Sequence, residues 1–295
     1  MAQYPALLTK SVIGQTFEGR DIVSVRLTTG GATKPVVYIE ATTHAREWLA
    51  PTTALFTLTT LLEGYTLGDP TASTLVRSLE WHFVVILNAD GYIFTWTNDR
   101  LWRKNRRRNV GSNFYGVDLN RNWGPNSTWC TSGSSTNPSS DTYCGTAAFS
   151  EPETAATSKA ELALGSRIVG LLAFHCYGPL LLRPYQFTYD QPPEPYNTEV
   201  ATLGARMETA INSVHGSRYE SIQGSSLYPH SGGTIDWTYE NFGVPAYTVE
   251  LRGNSFIVPV SDIVPCGEEN YAGVVVFAQH VLASKKPSVS HWAHL

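Results

Sequence analysis

Four stretches of the chain are apolar almost without interruption: Val36 to Ala41, Phe83 to Leu87, Ile168 to Phe174 and Ala246 to Leu251. Each is rich in β-branched or aromatic residues and bounded by turn formers, and unbroken apolarity predicts strands buried on both faces of a sheet. Helical patterns fall between them. Leu49 to Leu62 follows the first strand, and Ser150-Glu151-Pro152-Glu153 opens another helix with capping-box spacing and an early proline. Val200, Leu203, Met207 and Ile211 mark a helix over Asn197 to Val214, and Glu268 to Ala283 forms the last. Strands alternating with helices predict an α/β fold: a single domain whose mixed, twisted sheet is covered by helices on both faces. No repeat or linker divides the chain, so residues 1–285 are expected to form that domain and 286–295 a loose tail, with His291 and His294 outside the chemistry. Gly111 to Phe149, Pro179 to Tyr196 and Gly216 to Gly233 carry neither period. Loops of that length inside a compact domain are usually functional or disordered; their Tyr, Trp and Pro predict order.

Composition narrows the class. The 295 residues are 42% hydrophobic and 16% charged, a globular balance, and the formal net charge of -4 provides no basic field for nucleic acid or anionic lipid. No stretch approaches the ~18 apolar residues of a membrane span. Of four cysteines, Cys130 and Cys144 flank a polar Ser/Thr/Gly-rich loop, and a disulfide closing it is predicted. Chain entropy values such a closure at ~3 kcal/mol. Cys176 and Cys266 either pair or stay as buried thiols. Asn126-Ser127-Thr128 matches an N-glycosylation acceptor, and with the disulfide it predicts a secreted, extracellular protein.

Three of the four strands end in a residue able to bind metal or move a proton. The first leads into Thr43-His44-Ala45-Arg46-Glu47-Trp48, the third into His175, and the fourth carries Glu250. In open α/β sheets ligands gather beyond the carboxyl ends of strands, which places the active site there. His44, Glu47 and His175 supply two imidazoles and a carboxylate, a set that suits Zn²⁺ and leaves a fourth position for water. Glu250 is then the base beside that water. A lone buried histidine at a strand end is more often an ordinary core residue; the combination argues for chemistry.

Further motifs stand in order along the chain. They are Phe17-Glu18-Gly19-Arg20, His44 to Trp48, Arg100-Leu101-Trp102-Arg103-Lys104-Asn105-Arg106 and Asp118-Leu119-Asn120-Arg121-Asn122-Trp123. His175-Cys176-Tyr177, Tyr228, Ser231-Gly232-Gly233-Thr234-Ile235-Asp236-Trp237 and Glu250-Leu251-Arg252 follow. In this order and spacing the chain resembles the zinc metallocarboxypeptidases of the carboxypeptidase A family. The resemblance implies one Zn²⁺ held by His44, Glu47 and His175, with Asp118 orienting His44. It makes Glu250 the proton carrier from water to the leaving amine, and Arg103 the stabiliser of the oxyanion. Asn120 and Arg121 would grip the substrate's terminal carboxylate, a task for which a planar guanidinium is matched bidentately. Tyr228 would close over that carboxylate, Arg46 would touch the peptide upstream, and Tyr177 and Phe256 would flank it. Arg106 to Arg108 are assigned to a solvated surface.

For the pocket that receives the C-terminal side chain, the resemblance implies Ile235 at the floor and Leu182 and Thr248 on the wall. An acid at the floor would select basic residues; Ile235 implies hydrophobic or aromatic ones, whose full burial is worth ~1.5–3 kcal/mol. Gln186, Gln223 and His230 depart from the family pattern, which has smaller or more apolar residues there. They either shrink the pocket or admit polar side chains. The implied partners are peptide or protein C-termini and protein inhibitors of carboxypeptidases, without nucleic acid or membrane, and the chain is expected to be a monomer. Two other readings use the same cleft: hydrolysis of N-acyl amino acids or amide-linked toxins, and an inactive peptide-binding homologue. The last should lack a ligand or the base, and the sequence lacks neither.

Overall fold

The computed structural model describes residues 3–125 and 127–284. Asn126 of the acceptor pattern and the expected tail 286–295, with its two histidines, lie outside the described residues. Eight strands form one sheet: β1 (Leu8–Gln15), β2 (Asp21–Leu27), β3 (Val36–Ala41), β4 (Glu80–Val84), β5 (Ile168–Cys176), β6 (Leu180–Arg183), β7 (Glu220–Gln223) and β8 (Ala246–Leu251). Their spatial order is β1-β2-β4-β3-β5-β8-β6-β7. The central four, β4, β3, β5 and β8, run parallel. Antiparallel β1 and β2 close one side, and β6, antiparallel to β8, carries β7 on the other. The sheet is mixed, as expected, with a parallel centre that matches the unbroken apolar runs.

Every residue of β3 and β5 is buried, which explains their unbroken apolarity. Alternation survives in the choice of core. Leu172 and Phe174 of β5 join a cluster with α1 (Leu49–Leu67), α2 (Pro70–Ser78), α5 (Tyr196–His215) and α8 (Ile263–Ala283). Leu171 and Ala173 face the other side, with Leu119 and with Ile235 of α7 (Thr234–Phe242); α4 (Pro152–Leu164) packs there through Ala156 and Leu164. The remaining helices are α3 (Ala89–Thr97) and the single turn α6 (Gly224–Leu227). No helix among the described residues is long and apolar enough to cross a membrane.

The departures from expectation have local causes. β4 starts at Glu80 rather than Phe83: Glu80 is buried, accepts from Arg167 at 2.8 Å and pairs with His82 at 2.9 Å, so a polar start hides the strand in the sequence. β1 is largely exposed, and β6 and β7 span four residues each, so none carries a long apolar run. No capping box forms at α4. Ser150 donates to the Glu151 carboxylate at 2.7 Å, and Asn122 Oδ1 takes the Glu151 amide at 3.1 Å and the Thr154 hydroxyl at 2.7 Å. Arg106 is no solvated charge; its guanidinium lies over Phe94 at 3.6 Å and Trp102 at 4.5 Å. Arg107 pairs with buried Glu151 at 2.6 Å, while Arg108 is exposed as expected.

The Cys130–Cys144 disulfide is present, with Cα atoms 5.7 Å apart, and Cys176 and Cys266 are buried free thiols. The loop it closes carries Gly133, whose φ of 56° and close approach to Pro229 and His230 leave no room for a Cβ. That contact docks the loop beside the segment before α7.

At the first turn of α4, fully buried Glu153 accepts from Asn105 Nδ2 at 3.1 Å and the Phe17 amide at 3.3 Å, and burial pushes its pKa up to about 7. A carboxyl whose folded pKa is raised stabilises the native state most below its unfolded value and loses that contribution as pH climbs through 7. Glu153→Gln therefore costs more at pH 5 than at pH 8.5, the penalty shrinking by up to about 3 kcal/mol. Denaturant unfolding at the two pH values checks this; a pH-independent penalty contradicts it.

Candidate active site

β3 ends where Thr42 adopts a left-handed φ of 60° and donates its hydroxyl to Val85 O at 2.8 Å. The next residues form a loop held on both sides. The Asn88 side chain donates to Thr43 O at 3.2 Å and Lys104 O at 3.1 Å, and the Ala45 amide donates to Arg103 O at 2.9 Å. His44 and Glu47 thus sit over the end of β3, before α1 begins. His175, near the end of β5, lies beside Glu250 of β8 in the parallel register. Parallel pairing brings these strand ends together, so residues far apart in sequence meet.

His44 Nδ1 lies 2.7 Å from Glu47 Oε1 and 3.1 Å from His175 Nδ1, which is itself 3.1 Å from Glu47 Oε2. All three residues are buried, and their ligand atoms fall within 4.8 Å of one another. Two imidazole nitrogens turned toward each other and toward a carboxylate share too few protons to satisfy one another, whereas a cation satisfies all three. His44 Nε2 lies 3.1 Å from Asp118 Oδ1, which sets the tautomer and leaves Nδ1 as the lone-pair donor. The donor set and its outer support fit zinc. Burial alone would raise the Glu47 pKa, but His44 and His175 outweigh it and hold the carboxyl well below its ordinary range.

Asp118 is the hub. Its Oδ1 also accepts the Asn120 amide at 2.9 Å; Oδ2 accepts Arg103 Nη2 at 2.7 Å and Nε at 3.1 Å. Burial pushes against its ionised form, yet Arg103, His44 and Arg121 keep its pKa well below the usual carboxylate range. Glu250 is only partly open to the cleft, and burial, helped by Glu47 and opposed by His175, Arg103 and Arg121, pushes its pKa up to about 7, a value suited to a base near neutral pH.

A cleft of about 380 Å³ joins these residues to the rest of the predicted site. Arg121 is buried, its Nη1 donating to Asn120 O at 2.8 Å and its Nε to Gly133 O at 3.2 Å, so the disulfide-closed loop fixes its direction. Asn120 Oδ1 accepts the Thr234 amide at 3.3 Å. Tyr228 is 49% exposed at the mouth, its ring 6.0 Å from the Arg121 guanidinium. At the outer rim the Arg46 guanidinium covers the Phe256 ring at 4.1 Å, and Tyr177 packs edge-on to Phe256 at 4.8 Å. Arg100, to which the sequence reading assigned no role, ties this rim together: it donates to Arg46 O at 2.8 Å and Phe256 O at 2.9 Å and stacks on Trp48 at 3.7 Å. Leu182 and Thr248 are register partners across β6 and β8, and both line the cleft.

One predicted residue is elsewhere. Ile235 is fully buried, packed with Tyr38, Leu119 and Leu171 behind the sheet, and is not on the cleft wall. Gln186 and His230 line the cleft instead; the Gln186 amide lies against Gly233, where it would collide with any Cβ. Gln223 turns away, donating to Thr188 O at 3.1 Å and Asp190 O at 2.8 Å, and so orders its own loop.

The comparisons agree with this geometry. A family model described as zinc carboxypeptidase matches residues 1–273. Carboxypeptidase B of Astacus astacus is 37% identical over 285 residues, covering 94% of this chain and 91% of that protein. Carboxypeptidase B of Bos taurus is 36% identical over 286 residues, covering 95% of this chain and 67% of its own length. The structure of bovine thrombin-activatable fibrinolysis inhibitor, in complex with tick carboxypeptidase inhibitor, matches with a TM-score of 0.88 at 30% identity, covering 95% of this chain and 92% of that one. The chain belongs to the zinc carboxypeptidase family, in its A/B branch.

Removing the support of His44 should loosen the metal, and because it also strips Arg103 of its buried counter-ion it should lower stability as well. Asp118→Ala is expected to lower zinc affinity by about 10–100-fold, measured by competition with a chromophoric chelator. Unchanged affinity would show that Asp118 does not orient the ligand.

Proposed function

We propose that this protein is a zinc-dependent exopeptidase that hydrolyses the C-terminal peptide bond of peptides and proteins outside the cell. One observation carries the reading: a single cleft is lined by His44, Glu47, Glu250 and the Asn120–Arg121 pair, and His175 completes the ligand cluster against its wall. A cleft that offers a buried guanidinium beside hydrolytic machinery reads a chain end, because the substrate's free carboxylate is the anion that pairs with it. Arg121 and Asn120 bind that carboxylate and Tyr228 covers it. His44, Glu47 and His175 would hold zinc, which would supply Lewis-acid chemistry and a lowered pKa for water at this site.

Glu250 takes the proton from the attacking water and delivers it to the leaving amine. Arg103, fixed by Asp118, faces the carbonyl oxygen as negative charge develops on it. Asp118 holds Arg103 and His44 with opposite oxygens, so oxyanion support and ligand orientation share one anchor. Arg46, Tyr177 and Phe256 form the rim along which the upstream peptide lies. No acid stands on the Leu182–Thr248 wall, which supports an uncharged C-terminal side chain over a basic one. The complex of the bovine relative with tick carboxypeptidase inhibitor supports binding of carboxypeptidase inhibitors by this chain. The disulfide supports an oxidising compartment.

Release of free amino acid from the ends of blocked peptides is the direct assay, and it should vanish with chelation and return with zinc. Endopeptidase cleavage without terminal release would overturn the reading. Glu250→Gln keeps shape and removes the base, so kcat should fall by about 10²–10⁴-fold with substrate binding retained. Arg121→Lys replaces a fork with a point charge; kcat/KM should fall about 10–100-fold, the worth of one or two charge-assisted hydrogen bonds.

A further inference from the structure

The Leu182–Thr248 wall is apolar on one strand, but what faces it is not. Gln186 follows β6 and is clamped through its backbone: its amide donates to both Asp236 oxygens, at 3.0 and 2.9 Å, and its carbonyl accepts the His230 amide at 2.8 Å. Its side chain is 1% exposed, and neither Oε1 nor Nε2 has a hydrogen-bond partner. His230 is 3% exposed; its Nδ1 donates to Tyr228 O at 3.3 Å, which leaves Nε2 an acceptor, also unpartnered. Burial and the Arg121 guanidinium hold the His230 pKa well below its ordinary value, so the ring is neutral. Buried Thr248 Oγ1 lacks a partner as well. All three residues line the cleft that holds Arg121.

Buried polar atoms without partners are rare, and each calls for an explanation. Four of them beside one substrate cleft form a hydrogen-bonding surface with both donors and acceptors and no charge. We propose that Gln186, with His230 and Thr248, selects uncharged polar C-terminal side chains, the carboxamides of Gln and Asn foremost. This deepens the exopeptidase reading and rests on it. A carboxamide carries one acceptor and two N–H donors, which suits an amide, an imidazole nitrogen and a hydroxyl together. An aromatic or aliphatic side chain would leave these already buried atoms unpartnered, and sites built to hydrogen-bond a substrate group discriminate strongly against analogues that lack it. A lysine or arginine side chain would find no counter-ion among these three residues. The hydrophobic preference expected from Ile235 gets no support from its placement, since that side chain is buried in a core cluster and does not line the cleft.

The test is kcat/KM on blocked peptides identical except for a final Gln, Asn, Leu, Phe or Lys, using the zinc-loaded enzyme. Gln or Asn should exceed Leu and Phe by at least tenfold. Gln186→Gly, which clears the amide from the wall, should shift the order toward Leu and Phe by tenfold or more. The near-isosteric Gln186→Glu adds a carboxylate and should raise the relative rate on Lys, mainly through KM. The second variant keeps the test alive if the first does not fold. Equal rates across the series, a wild-type preference for Leu or Phe, or a profile that neither variant moves would each overturn this proposal while leaving the exopeptidase intact. No release from any of the peptides would overturn the exopeptidase reading, and this one with it.

Discussion

Two carboxylates, Glu47 and Asp118, are buried where four strand ends and their loops converge, and the site depends on how their charge is met. An ionised carboxylate taken from water is tolerated only when paired and hydrogen-bonded. Asp118 faces His44 through one oxygen and Arg103 through the other. Glu47 faces both imidazoles and accepts the Cys176 amide at 3.2 Å. Removing Asp118 alone leaves the Arg103 guanidinium without its counter-ion, and removing Glu47 alone leaves the two imidazoles and the Cys176 amide without the carboxylate between them. This interdependence holds the ligand cluster, the guanidinium for the oxyanion and the strand ends in one arrangement before substrate arrives.

The scaffold makes that arrangement rigid. The central strands are parallel, so their carboxyl ends lie side by side, and both faces are sealed by separate cores. The elements that touch substrate are added at the periphery. Arg121 takes its direction from Gly133 on the disulfide-closed loop; Gln186 takes its own from Asp236 at the start of α7; Arg46 and Phe256 are held by Arg100. Positions of chemistry therefore rest on the sheet, and positions of recognition on loops anchored to it. Recognition is then free to vary while the chemistry stays put.

The cleft shows the consequence. Its carboxylate grip is the part expected of any enzyme that reads chain ends. Its side-chain wall carries two large polar residues, Gln186 and His230, while Ile235 is packed in the core beside Leu119 and Leu171. The same chain uses Gln223, a third polar departure, for an unrelated purpose: its amide orders residues 188–191. Residue type alone did not separate these roles.

The sequence pattern determined the strands at the heart of the sheet, the candidate set His44, Glu47, His175 and Glu250, and the Cys130–Cys144 link; Asp118, Arg103 and the Asn120–Arg121 pair entered through the family resemblance, and the structure places them beside that set. Those were legible because burial on both faces writes an unbroken apolar run, and because metal and carboxylate chemistry admits few residue types. Four strands were not legible. β1 lies exposed at the sheet edge, β2 alternates, and β6 and β7 exist only because β8 offers an edge to pair with. Tertiary structure also decided that Arg106 is caged by aromatic rings, that Asn122 rather than Ser150 secures α4, and that Ile235 belongs to the core while Gln186 lines the cleft. The physical reason is common to all of these. Which way a side chain points at the end of a strand or in a long loop is set by contacts with residues distant in sequence, and no local pattern encodes it.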